Sequence, residues 1–208
     1  MKLQIALDMT SIEEAVELVG KIQDMIDIVE IGTPMIIKEG MLPVRKMKER
    51  FPHITVLADT KIADGGELEA GYAVEAGADI VTVLAVAADN TILGAKKAVK
   101  EKNKELYVDL LSVEDVKKRS QELDQMGVDY IGVHTASDVQ GTGKQPFDEL
   151  KMIKETVKNT KIAVAGGITL DTVKCAKESE PAVVIVGSYL TKSPDVRAAV
   201  AALKDAME

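Results

Sequence analysis

The chain has 208 residues, 46% of them hydrophobic and one a cysteine, so it can bury a full core, forms no internal disulfide and offers no cysteine-rich metal site. Its 26 lysines and arginines stand against 34 aspartates and glutamates, and the net charge of -8 argues for solubility and against a nucleic-acid surface. No apolar run approaches the ~20 residues of a membrane span and the one in MKLQIALDMT is too short for a signal peptide, so a cytoplasmic protein without membrane contact is expected.

In chain order, short β-rich runs alternate with stretches of helical spacing. LQIALD predicts a first strand closing on Asp8, after which Ile12, Ala15, Val16, Val19 and Ile22 mark one face of a helix. DIVEIG predicts the second strand, with Glu30 near its end. ITVLAD predicts the third, which runs into ADTKIADGGE and so closes on Asp59, Lys61 and Asp64. Charges at the end of a buried strand are costly unless they pair, bind an ion or meet a ligand. DIVTVLA and ELYVDLL predict strands four and five, the latter with Asp109, and the lysine run GAKKAVKEKNK between them reads as a solvated helix face. Val116, Leu123 and Met126 mark a helix, and DYIGVH predicts a sixth strand ending in His134. KIAVAGG and AVVIVGS predict strands seven and eight, ending in Gly166-Gly167 and Gly187-Ser188, before the covering helix PDVRAAVAALKDAME. The near-repeats EAGADIVTV and QMGVDYIGV show one joint twice: helix end, glycine cap, aspartate, buried strand.

Eight such alternations imply parallel strands joined by crossover helices. Residues 1–208 are therefore expected to form one (β/α)8 barrel. A doubly wound open sheet competes, but it favours a glycine-rich turn after the first strand, where this chain has Asp8 and Met9.

In a barrel the C-terminal strand ends converge on one face, where chemistry occurs. Asp8, Glu30, Asp59 with Lys61, Asp109 and His134 all fall there, although Asp109 alone reads as a hydrogen-bonded core group. Asp59 and Lys61 alternate along their strand and so point to one side, with Glu30 on the neighbouring strand. The carboxylates favour a protonated Lys61, and Lys61 or a bound cation favours ionised carboxylates. Gly166, Gly167, Gly187 and Ser188 end strands seven and eight, the usual phosphate cradle of this fold, because backbone N–H groups approach an anion where no Cβ intrudes. His53 precedes strand three and reads as a surface histidine, and Cys175 reads as packing.

The ordered set ALD, VEIGTP followed by Glu39-Gly40, AD-x-K-xx-D, VHT-x-xD-x-Q, AGGI and VVIVGS resembles the orotidine 5′-phosphate decarboxylase superfamily over essentially the whole chain. The resemblance is nearest to the branch that adds formaldehyde to ribulose 5-phosphate, giving a 3-hexulose 6-phosphate through an enediolate. It implies a homodimer with shared active sites and a divalent metal, magnesium or in its place manganese. It further implies Glu30 and Asp59 as metal ligands, Lys61 as the cation facing the reacting oxygens and His134 as acid and base. Asp64 would reach the partner subunit's site, Asp8 would orient Lys61 or the sugar phosphate, and Gly167, Gly187 and Ser188 would line the phosphate turns. The rival within the superfamily is 3-keto-L-gulonate 6-phosphate decarboxylation, which pairs with arginines where this chain has Ser137 and Ser188. Orotidine 5′-phosphate decarboxylation calls for a Lys-Asp-Lys-Asp array, and ribulose-phosphate epimerisation for more histidines than His53 and His134. Outside catalysis, a sugar-phosphate sensor would keep the cradle without needing Lys61 and His134 together.

Overall fold

Residue parity sorts each strand between two apolar environments, and this alternation builds the barrel. The computed structural model describes residues 1–8, 11–140, 143 and 145–208. Its strands are β1 (Lys2–Leu7), β2 (Ile28–Ile31), β3 (Thr55–Ile62), β4 (Ile80–Leu84), β5 (Glu105–Asp109), β6 (Tyr130–His134), β7 (Lys161–Ala165) and β8 (Val183–Val186). All neighbours pair in parallel and β8 closes on β1, so the sheet is a complete (β/α)8 barrel without edges, as expected. Each strand lies where the alternation of the sequence puts it.

Outward residues such as Leu3, Ile5, Leu7, Val29, Ile31, Val56 and Ala58 are buried under the helices in a continuous layer. The inward set, Ala6, Ile28, Leu57, Ile80, Tyr107, Tyr130, Ala163, Val183 and Ile185, fills the barrel as a separate core. Strands buried on both faces carry long apolar runs for this reason. The first helix, Ile12–Ile22, buries Ala15, Val19 and Ile22 and opens with a capping box between Ser11 and Glu14. The last, Val196–Met207, buries Val200 and Leu203.

Short helices depart from a strict one-per-strand pattern. Thr33–Glu39 precedes Leu42–Arg50, Ser137–Gln140 precedes Phe147–Thr156, and Ser188–Thr191 precedes the last helix. Each starts within three residues of the end of a strand, on the face where β-strands finish.

The aspartate of the joint read twice in the sequence recurs a third time, before β2 and without the glycine cap, and the structure supplies its purpose. Asp27, Asp79 and Asp129 sit just before β2, β4 and β6, and each accepts the backbone N–H of a residue on the preceding strand, Leu3, Val56 and Leu106, at 2.8, 2.9 and 2.8 Å. Asp79 also takes Lys48 at 2.6 Å and Lys104 at 2.7 Å. The lysine run between strands four and five is therefore not simply a solvated face. Lys96 donates to the Met126 carbonyl, Lys97 pairs with Glu67 and Lys100 with Asp129, because a flexible stem lets a surface lysine reach the joints beside it. Cys175 also departs from expectation: it is exposed, since the helix Val173–Lys177 turns Val173 and Ala176 inward instead.

Burial pushes the Asp79 carboxyl up, but the bonds from Lys104, Lys48 and the Val56 N–H outweigh it and hold the group below its ordinary 3.8. Its stabilising contribution is thus present above that value and lost as pH falls through the lower folded one. Asp79→Ala is expected to cost about 1–3 kcal/mol, because it strands a lysine and a backbone N–H. Denaturant titrations at pH 7 and at pH 3 check this, with a smaller difference between wild type and variant expected at pH 3.

Candidate active site

Inward parity at the C-terminal ends of the strands brings the predicted charges into one cluster. Asp8 follows β1, Glu30 stands on β2, Asp59 and Lys61 on β3, and Asp109 and His134 close β5 and β6. Asp59 is 4% exposed, and Lys61 Nζ pairs with its Oδ2. Thr33 Oγ1 has its single proton within reach of both Asp59 Oδ2, at 2.8 Å, and the Asp59 carbonyl, at 2.7 Å, while Thr82 Oγ1 donates to Oδ1 at 2.9 Å. Lys61 does not sit on a regular strand: the register with β4 shifts between Ala58 and Ile62, and its φ is +47°. Asp59 and Lys61 do meet, as their alternation predicts, but through a bulge.

Glu30 accepts a 2.6 Å hydrogen bond from Gln4 Nε2. Burial, then the Asp59 and Asp8 charges, pushes its carboxyl well above the ordinary range, against smaller pulls from Gln4 and Lys61. Asp8 is raised too, first by burial and then by Asp59. Its slot exists because Gly32 lacks a side chain: a Cβ there would lie 2.1 Å from Asp8 Oδ1. For Lys61 burial acts to release the proton, but Asp59, by charge and hydrogen bond, and then Asp109 and Glu30 overcome it, so the ammonium is held above its usual range.

Asp109 is 3% exposed and accepts the Leu111 N–H at 2.9 Å, so it is a bonded core group. Its other oxygen lies 2.8 Å from His134 Nδ1. The carboxylate therefore fixes the ring and leaves Nε2 as the nitrogen for other partners. Burial pulls the His134 pKa down, yet the Asp109 bond and charge prevail and the net shift is upward.

The glycine turns are both present. Gly166 and Gly167 follow β7 with φ of +98° and +69°, and a Cβ on Gly166 would meet the Thr135 carbonyl oxygen at 2.4 Å, so the turn requires glycine. Gly187 caps the helix Ser188–Thr191, and a Cβ on it would lie 3.8 Å from Asp8 Oδ2, which sets this turn beside the acidic cluster. Asp64 stands apart. It is exposed in the loop after β3, and among the described residues its side chain bonds only the N–H of Gly65. His53 is exposed before β3, outside the cluster.

The cluster suits a hard cation. Asp8, Glu30 and Asp59 are oxygen donors; Asp59 raises the pKa of Asp8, and both raise that of Glu30, so a divalent ion would relieve the repulsion felt at Glu30. Among the described residues no group of three or more His, Cys, Asp or Glu is arranged to hold a metal ion as it stands. An ion held here keeps most of its coordination for water or ligand oxygens.

Gln4, Gly32, Thr33 and Thr82 take part in this geometry without having been expected to. Gln4 and Thr82 share inward parity with Asp8 and Ile80, a signal that alternation already carries. Gly32 and Thr33 stand in the VEIGTP run, but nothing in the alternation gives either a role.

The sequence profile described as the orotidine 5′-phosphate decarboxylase / HUMPS family matches residues 1–203. The chain belongs to this family. The orotidine 5′-phosphate decarboxylase / HUMPS family relatives include a "3-hexulose-6-phosphate synthase" of Bacillus subtilis, 50% identical over 195 residues that cover 94% of this chain and 93% of the relative. A crystal structure of 3-hexulose-6-phosphate synthase from Salmonella typhimurium is 41% identical and superposes with a TM-score of 0.97 over 100% of this chain and 98% of that one. A 3-keto-L-gulonate-6-phosphate decarboxylase from Vibrio cholerae is more distant, 25% identical with a TM-score of 0.86 over 99% and 96% of the two chains. No helix among the described residues is long and apolar enough to cross a membrane.

Proposed function

We propose that the protein is a cytoplasmic carbon–carbon lyase that condenses formaldehyde with D-ribulose 5-phosphate to D-arabino-3-hexulose 6-phosphate. The observation that carries this reading is the pairing of the Lys61–Asp59 ion pair with the Asp109-held His134 on one barrel mouth. The identity to synthases across nearly the full chain supports it. Phosphate binds at the Gly166-Gly167 and Gly187-Ser188 turns, which brings the sugar's other end to the carboxylate cluster. His134, with Nδ1 held by Asp109, takes the proton from carbon 1 at Nε2 and later returns it. The electron-rich enediolate so formed meets the Lys61 ammonium, a charge fixed in place before reaction and of most use in the transition state. Its carbon 1 then attacks formaldehyde, whose carbonyl oxygen gains a proton. Glu30 and Asp59 hold magnesium, or manganese in its place, which supplies Lewis-acid charge to sugar oxygens when bound. Asp8 orients Lys61 and the sugar.

The places that resemblance to the decarboxylase would fill with arginine are Ser137 and Ser188, each opening a short helix. Both lack the fixed charge suited to a substrate carboxylate, which favours a neutral aldehyde as second substrate. The deciding assay follows formaldehyde consumption with ribulose 5-phosphate and Mg²⁺, beside decarboxylation of 3-keto-L-gulonate 6-phosphate. Formaldehyde addition is expected to have the higher kcat/KM, to cease after exhaustive chelation and to return with Mg²⁺. A higher kcat/KM for decarboxylation transfers the assignment to the rival, and binding without any turnover makes the protein a sensor.

A homodimer with shared sites belongs to the same proposal. Leu68 and Tyr72 are 62% and 55% exposed on the helix Gly66–Glu75, directly after Asp64, and Leu93 is exposed on the neighbouring helix Asp89–Glu101. An apolar face of this kind fits a second copy, with Asp64 crossing to the partner's mouth. Mixing inactive Asp64→Asn and Lys61→Ala chains is expected to regenerate up to about one quarter of the wild-type sites, since each hybrid dimer holds one complete site. No recovery in verified heterodimers removes the shared-site arrangement.

A further inference from the structure

The bulge at Lys61 needs an explanation that the charged residues do not provide. A residue with a Cβ adopts φ of +47° rarely, and keeps it only where the surroundings over-determine it. The broken register between Ala58 and Ile62 also deprives Lys61 of a regular ladder partner on β4.

Thr82, 2% exposed on β4, answers both needs with one hydroxyl. Its Oγ1 accepts the Lys61 N–H at 2.9 Å and donates to Asp59 Oδ1 at 2.9 Å, while its carbonyl accepts Thr60 Oγ1 at 2.7 Å. A hydroxyl has a single proton, so the chain runs in one direction, from amide to hydroxyl to carboxylate. The same bonds ration the oxygens of Asp59. Oδ2 accepts Lys61 and competes with the Asp59 carbonyl for the single proton of Thr33, while Oδ1 accepts Thr82 and keeps an acceptor position open.

We propose that Thr82 is a positioning residue of this site: its hydroxyl locks the left-handed backbone that aims Lys61 and turns Asp59 so that Oδ1 keeps a position open for a further ligand. This rests on the reading of Lys61 as the reaction's cation and Asp59 as a metal ligand. Thr82 touches no reacting atom and acts through these two neighbours.

Thr82→Val keeps the shape and removes both bonds, and Thr82→Ser keeps both. Thr82→Val is expected to lose about 10- to 100-fold in kcat for formaldehyde addition with KM for ribulose 5-phosphate within about 3-fold, and Thr82→Ser to stay near wild type in both. Mn²⁺ titration by electron spin resonance, read without turnover, should show affinity about 10-fold weaker in Thr82→Val and unchanged in Thr82→Ser. A crystal structure of Thr82→Val should show Lys61 at negative φ. Wild-type kcat and Mn²⁺ affinity in Thr82→Val overturn the proposal, as does a Thr82→Ser loss equal to that of Thr82→Val. If the wild type itself adds no formaldehyde, the functional reading fails, while Mn²⁺ affinity and the Lys61 φ still decide the role of Thr82. Should Thr82→Val not fold, Thr82→Cys, whose thiol is a weak donor and acceptor, takes its place with the same readouts.

Discussion

Lys61→Ala is expected to lower kcat for formaldehyde addition by about 1,000-fold, the upper end of the range for removing a preorganised charge from a transition state. Two effects combine. The enediolate loses its fixed countercharge, and Asp8 and Glu30 lose the ammonium that lowers both their pKa values, which pushes the Glu30 carboxyl further above its already raised range. Lys61→Arg is not expected to restore the rate, because a planar guanidinium cannot reproduce a point charge held against Asp59 Oδ2. Single-turnover kinetics with saturating ribulose 5-phosphate check this, and equilibrium binding of the sugar phosphate separates a chemical defect from a failure to bind. A loss below about tenfold in Lys61→Ala would remove the lysine from the chemistry and leave it a structural partner of Asp59.

The barrel was legible because its physics is periodic. A strand buried on both faces must be apolar along its length, so the eight runs stand out, and a helix covering a sheet must repeat its apolar face, as Ala15, Val19 and Ile22 do. The candidate site was legible for the opposite reason: charges such as Asp59 and Lys61 interrupt that pattern where burial makes them costly. What escaped depends on three-dimensional proximity. The 2.1 Å conflict that forbids a Cβ at Gly32 arises from Asp8 on another strand, and the bulge at Lys61 comes from a register shift against β4. Gln4 and Thr82 have inward parity, but one dimension does not say which carboxylate they meet. The lysines from Lys96 to Lys104 misled in the same way: charge marks exposure, but chain reach decides pairing.

His134→Ala is expected to reduce kcat by about 100- to 10,000-fold, the usual worth of a positioned acid and base, while ribulose 5-phosphate binding persists through the glycine turns. The pH profile gives a sharper test. A general base works when neutral, and His134 has its pKa raised because the Asp109 bond and charge outweigh the cost of burial. The acid limb of kcat/KM should therefore rise with pH through a midpoint above the ordinary histidine value of 6.5. Asp109→Asn keeps a group that can bond Nδ1 but removes the charge, so burial then dominates and the midpoint should move to lower pH. Glu30 offers a competing origin for such a limb, because its carboxyl is also pushed well upward, by burial and then by Asp59 and Asp8. The two separate cleanly: a limb that moves in Asp109→Asn belongs to His134, whereas one that stays in Asp109→Asn and moves in Gln4→Ala, which removes the hydrogen bond that Gln4 Nε2 donates to Glu30 Oε2, belongs to Glu30.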